Sequence, residues 1–96
     1  MLLGAAVALV VSPTIARAQI AEAPAGALAC SGCHPDAKNV STPAPRLVGR
    51  DAGEITTAMQ AFRSGARAST IMDRIAKGFS DDETRAIANW YAAQKD

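Results

Sequence analysis

Cys30-Ser31-Gly32-Cys33-His34 holds both cysteines and the single histidine of this 96-residue chain. Two thiols on one turn can add to the two vinyl groups of a haem, and an imidazole at the next position can meet the iron as its proximal ligand. That chemistry needs this order and spacing. The sulfurs must reach adjacent pyrrole edges before the ring turns towards the metal. The same residues serve other chemistries less well. A structural zinc site wants four ligands, and this cluster offers three with no second cluster to complete it. A thioredoxin-like redox pair belongs beside a βαβ pattern, which the chain lacks. A cystine across the two intervening residues leaves His34 without a task.

A second axial ligand has to come from elsewhere. Met59 and Met72 compete for it, because Met1 belongs to the leader described below. Met59 falls on a regular apolar face with Ile55, Ala58 and Phe62, where packing accounts for it. Met72 sits in the less regular stretch Ser69-Thr70-Ile71-Met72-Asp73-Arg74-Ile75-Ala76-Lys77-Gly78, where a loop can carry sulfur to the iron. Met72 is therefore read as the sixth ligand. Met59 or an open position is the competing reading. A His/Met pair fills both axial sites and favours electron transfer over ligand chemistry.

The elements that position these groups read as helices. Pro24 suits a first helical position, so a short first helix is expected over residues 24–30, running into the motif. Residues 35–50 are rich in Pro, Ser, Thr, Asn and Gly and read as a loop. A carbonyl within Ala44-Pro45-Arg46-Leu47-Val48-Gly49 is expected to accept from the second nitrogen of His34, because ligating imidazoles have such a partner. Leu47 would then lie against the haem edge. Asp51 and Glu54 form an approximate capping box for a second helix that Ser64-Gly65 ends. Ser80-Asp81-Asp82-Glu83 is a fuller S-x-x-E box for a last helix, on which Ile87, Trp90 and Tyr91 share one face as core residues. No alternating strand pattern occurs.

Leu2 to Val11 is an apolar run broken at Ser12-Pro13 and followed by Ala16-Arg17-Ala18, so residues 1–18 read as a cleaved signal peptide and residues 19–96 as one domain. The run is too short to span a bilayer. Without Arg17, nine basic and nine acidic residues remain, and this zero net charge argues against nucleic-acid binding. Arg63, Arg67, Arg74 and Lys77 could still form a local positive patch for a partner, or simply a solvated surface. About 78 residues with few large apolar side chains are near the lower limit for an independent core. A bound haem would complete it, and the apo chain is expected to fold poorly.

With the haem motif, the Pro45-Arg46-Leu47 loop, Met72 and a C-terminal aromatic helix in this order, the chain resembles the class I cytochromes c from about residue 24 to residue 94. The resemblance implies an all-α fold of a few helices wrapped around one covalent haem c. It implies thioethers at Cys30 and Cys33, axial ligation by His34 and Met72, and a Pro45 carbonyl that meets His34. Pro35 and Ala44 stand where that family commonly has glycine. Phe62-Arg63-Ser64-Gly65 and the stretch from Ser69 to Ser80 are similar to the cytochrome subunit of flavocytochrome c sulfide dehydrogenase. In that family a FAD-bearing subunit oxidises sulfide and the haem subunit passes electrons onward. The resemblance thus implies a periplasmic electron carrier that is not itself the enzyme, with a flavoprotein partner. A freely diffusing carrier and a high-spin, gas-binding haem protein are the alternatives.

Overall fold

The structure, a computed structural model, describes residues 3–10 and 22–95. The expected cleavage site at residues 16–18 lies outside the described residues. Four helices and no strand occur among the described residues: α1 (Ala27–Cys30), α2 (Ala52–Ser64), α3 (Met72–Ala76) and α4 (Asp81–Ala93). None is long and apolar enough to cross a membrane.

The first helix is shorter than its sequence suggests. Gly26 has φ 85° and ψ −13°, and Ala27 donates its N–H to the Pro24 carbonyl at 3.0 Å. These are the marks of a type II turn, which needs glycine at its third position. Pro24 therefore opens a turn and is not the first residue of the helix. A Cβ at Gly26 would lie 2.5 Å from Cε1 of Phe79, so the turn also lets that ring pack closely.

The capping residues of α2 and α4 act as their types dictate. Asp51 accepts from the Glu54 N–H at 3.0 Å, and Gly65 ends α2 at φ 80°. The reciprocal half of the box is formed on α4, where Ser80 and Glu83 each accept from the other's backbone N–H. The three acidic residues of that first turn also face the positive end of the helix dipole.

Ala27, Ile55, Ile87, Ala88 and Tyr91 form the buried centre, with Cys30, Leu47, Val48, Met59, Phe79 and Trp90 packed around it. Ala27 and Ala88 are fully enclosed, and their small side chains let α1 and α4 come close. Tyr91 fills the space beside them, with its ring edge-on to Trp90 at 4.9 Å between centroids. Burying a side chain the size of Ile87 or Tyr91 contributes about 1.5–3 kcal/mol. Among the described residues, three of the buried core side chains are larger than alanine, so this protein-only core is small.

Candidate haem-attachment site

Backbone hydrogen bonds carry the motif on from α1 as one tight turn. Gly32 N–H reaches the Ala29 carbonyl at 3.2 Å, and both Cys33 and His34 donate to the Cys30 carbonyl at 3.2 and 2.9 Å. Ser31 Oγ donates to the Leu28 carbonyl at 2.6 Å and ties the turn back to α1. Cys30 and Cys33 are free thiols on this turn, Cys30 half-buried and Cys33 exposed. Burial pushes the Cys30 thiol up, and a backbone hydrogen bond partly opposes the shift. Among the described residues no three His, Cys, Asp or Glu side chains converge as a metal cluster.

His34 Nδ1 lies 2.5 Å from the Pro45 carbonyl. A carbonyl can only accept, so Nδ1 carries the proton. In the neutral ring, Nε2 then keeps its lone pair for a metal. The loop that supplies Pro45 is fixed at several points. Arg46 Nε donates to the Asp36 carbonyl at 2.6 Å, which draws the residue after Pro45 onto the residues after His34. Thr42 Oγ1 bonds the Ala44 carbonyl at 2.7 Å. Gly49, at φ 73°, donates to the Tyr91 carbonyl at 3.0 Å and docks the loop on α4. Leu47 is half-buried and packs against the core cluster.

Tyr91 closes the other side of the motif. Its buried hydroxyl donates to the Ala27 carbonyl, across 64 residues of chain. Burial, together with the negative charges that Cys30 and Asp36 can carry, pushes the Tyr91 hydroxyl up to about 12, against a backbone hydrogen bond from Ser31.

The two methionines have different surroundings. Met59 packs on the core from α2, as its periodicity predicts. Met72 is half-buried as the first residue of α3 and is not one of the side chains packed around that cluster. Helical spacing would let Ile71 and Ile75 share one face with Met72, but that face does not join the packed core. Ile71 and Ile75 are 55% and 37% exposed, and the buried residue of α3 is Ala76. Leu28, beside the motif, is 67% exposed.

A haem fits what is present. The turn offers two free thiols and an imidazole of fixed tautomer, a small core stops short of Leu28, Ile71 and Ile75, and a thioether stands outside the packed cluster. Such a group would be covered by apolar side chains that otherwise meet water.

The expected positive patch is reduced. Arg63 pairs with Asp81 at 2.6 Å and also donates to the Phe79 carbonyl. The Arg67 guanidinium lies 4.8 Å above the Phe62 ring. Arg74 and Lys77 remain exposed. Sequence reasoning missed the Arg63 contacts and the Phe79–Gly26 packing. Arg63 in the last turn of a helix signals only a favourable dipole interaction.

No protein-family model matches the chain. It is 39% identical over 64 residues to the cytochrome subunit of sulfide dehydrogenase of Chlorobaculum tepidum, covering 67% of this chain and 58% of that protein. It is 45% identical over 64 residues to the thiosulfate dehydrogenase electron acceptor of Stutzerimonas stutzeri, covering 65% of this chain and 30% of that protein. It is 30% identical over 70 residues to cytochrome c-554(548) of Halomonas halodenitrificans, covering 69% of this chain and 84% of that protein. The chain thus spans little more than half of the first of these relatives and under a third of the second.

Proposed function

We propose, for a chain that belongs to the class I c-type cytochromes, that it is a periplasmic single-haem electron carrier serving a sulfide-oxidising flavoprotein. The observation that carries the reading is His34, held through Nδ1 by the Pro45 carbonyl at 2.5 Å beside two free thiols on the same turn. When bound, haem supplies a one-electron ferrous/ferric couple. The residues of the chain hold and tune it. Cys30 and Cys33 anchor the porphyrin through thioethers, His34 offers Nε2, and Met72 offers its sulfur as the sixth ligand. Pro45 fixes the tautomer and orientation of the imidazole, and Leu47 shields the edge of the site. None of these roles needs an acid, a base or a nucleophile, so chemistry on sulfide falls to a FAD-bearing partner. Export through a cleaved leader ending near Ala18 would place both proteins in the same compartment.

A second reading has an observation of its own. The relatives from Stutzerimonas stutzeri and Thiomonas intermedia are named as electron acceptors of thiosulfate dehydrogenase. In that case the donor is an enzyme of thiosulfate oxidation.

Gentle purification from the natural source separates the two. Flavin that co-elutes with haem in fixed ratio, with haem reduced on adding sulfide, is the expected result. A lone red protein, slow with sulfide and reduced when a thiosulfate dehydrogenase and thiosulfate are supplied, would assign the second role. A colourless protein after expression with haem-attachment machinery would defeat both readings.

A further inference from the structure

The stretch from Gly65 to Phe79 carries Met72, packs α3 on α2 with Ala76 buried, and is also tied at its two ends. At its entrance Arg67 N–H donates to the Ala61 carbonyl at 3.1 Å, and the guanidinium lies over Phe62. Just before Met72, Ser69 Oγ accepts from the Asp73 N–H at 2.9 Å. At its exit Phe79 packs against Gly26, and Ser80 starts α4. One side chain joins entrance to exit. Arg63, in the last turn of α2, donates through Nη2 to the Phe79 carbonyl and pairs through Nη1 with Asp81 at 2.6 Å. These partners lie 16 and 18 residues further along the chain. A planar guanidinium is suited to such a two-pronged hold, which a lysine could make only in part.

We propose that Arg63 is a positioning residue: by tying the end of α2 to Phe79 and Asp81, it keeps the Met72 segment closed and sets how readily the Met72 sulfur yields to an outside ligand. The inference rests on the reading of Met72 as the sixth ligand. The Asp81 arm alone is weak, because both partners are partly exposed and an exposed ion pair contributes little. The Phe79 arm is part-buried, so its charge-assisted hydrogen bond is the stronger element. Losing both arms raises the population of the open segment, and ligands from outside then enter faster.

The test uses ferrous holoprotein and carbon monoxide, with binding followed by stopped-flow absorbance and thermal midpoints measured on the same samples. Arg63→Ala is expected to bind carbon monoxide roughly tenfold faster than wild type, with Arg63→Lys and Asp81→Asn between them. Asp51→Ala removes the cap at the far end of α2. It should lower the midpoint while leaving the carbon monoxide rate within about twofold. An Arg63→Ala protein with a lowered midpoint and an unchanged rate would overturn the proposal, because a purely structural role predicts that pattern. Should that variant fail to fold, unchanged rates in Arg63→Lys and Asp81→Asn would overturn it equally. Met72→Ala separates the layers. Fast binding there with a wild-type rate in the Arg63 variants overturns the latch alone, whereas wild-type binding in Met72→Ala removes the ligand reading and the latch with it.

Discussion

The proximal side of the site and the segment bearing Met72 are built by different means. Around His34 the chain closes on itself through residues far apart in sequence. Tyr91 bonds Ala27 through its hydroxyl and Gly49 through its carbonyl, Arg46 bonds Asp36, and Pro45 bonds His34. Around Met72 the apolar side chains Ile71 and Ile75 meet water, and the five-residue helix α3 is held by its packing on α2, with Ala76 buried, by a serine hydroxyl and by one arginine. The protein alone fixes the imidazole. The Met72 thioether lies outside the packed cluster. On the proposed reading, the imidazole that would meet the iron is held firmly by the protein and the thioether is the adjustable partner.

The sharpest way to break this contrast is at Gly26, where the two regions touch. Gly26→Ala places a Cβ against Phe79 at a φ that side chains resist. It is expected to cost about 3 kcal/mol, read from chemical denaturation of the holoprotein. A cost below about 1 kcal/mol would mean that Phe79 gives way easily and that the regions are hardly coupled. Hydrogen exchange sharpens the comparison directly. Amides of α3 should exchange about tenfold faster than those of α4 near Tyr91 in the holoprotein. Equal protection would erase the distinction.

Tyr91→Phe tests the clasp. It leaves the Ala27 carbonyl without its buried donor and is expected to cost about 1–2 kcal/mol. Tyr91 in the folded state holds its proton up to about 12, above the ordinary tyrosine value near 10. Its contribution is therefore complete below about pH 10 and is lost as pH rises towards about 12. Wild type should weaken through that window, and Tyr91→Phe should lack that component of the decline.

The smallest effect is expected at Ser80, where Ser80→Ala should cost about 1 kcal/mol by uncapping α4. The Glu83 carboxyl is held below its usual value first by the Ser80 backbone N–H, which the variant keeps, and then by the Ser80 hydroxyl. The benefit is present above the ordinary glutamate range and fades as pH falls through the lowered value. Melting curves from neutral to acid pH should show both proteins losing stability, with the gap between wild type and Ser80→Ala narrowing only slightly.

What could be read in the sequence was local. The haem motif, the caps at Asp51 and Ser80, and the stop at Gly65 each depend on residues within five positions, so type and spacing suffice. The Pro45 carbonyl was expected because a ligating imidazole needs an acceptor, and family likeness identified which one. The Gly26 turn escaped notice because Pro24 is equally at home at a helix start, and the Phe79 ring that packs on Gly26 arrives from a distant part of the chain. Arg63 looked like a surface charge because its partners are 16 and 18 residues away. Ile71 and Ile75 fit an inward helical face by spacing alone, but α3 buries Ala76.

The bond from Tyr91 to Ala27 also governs when this fold can exist. It joins residues 64 positions apart, so a chain leaving the ribosome has α1 and the cysteine turn long before the helix that will cover them. Until synthesis reaches α4, Cys30 and Cys33 belong to a segment without its long-range partner. Closure across those 64 residues therefore waits until α4 has been made. The thiols remain open to modification for the whole of that interval.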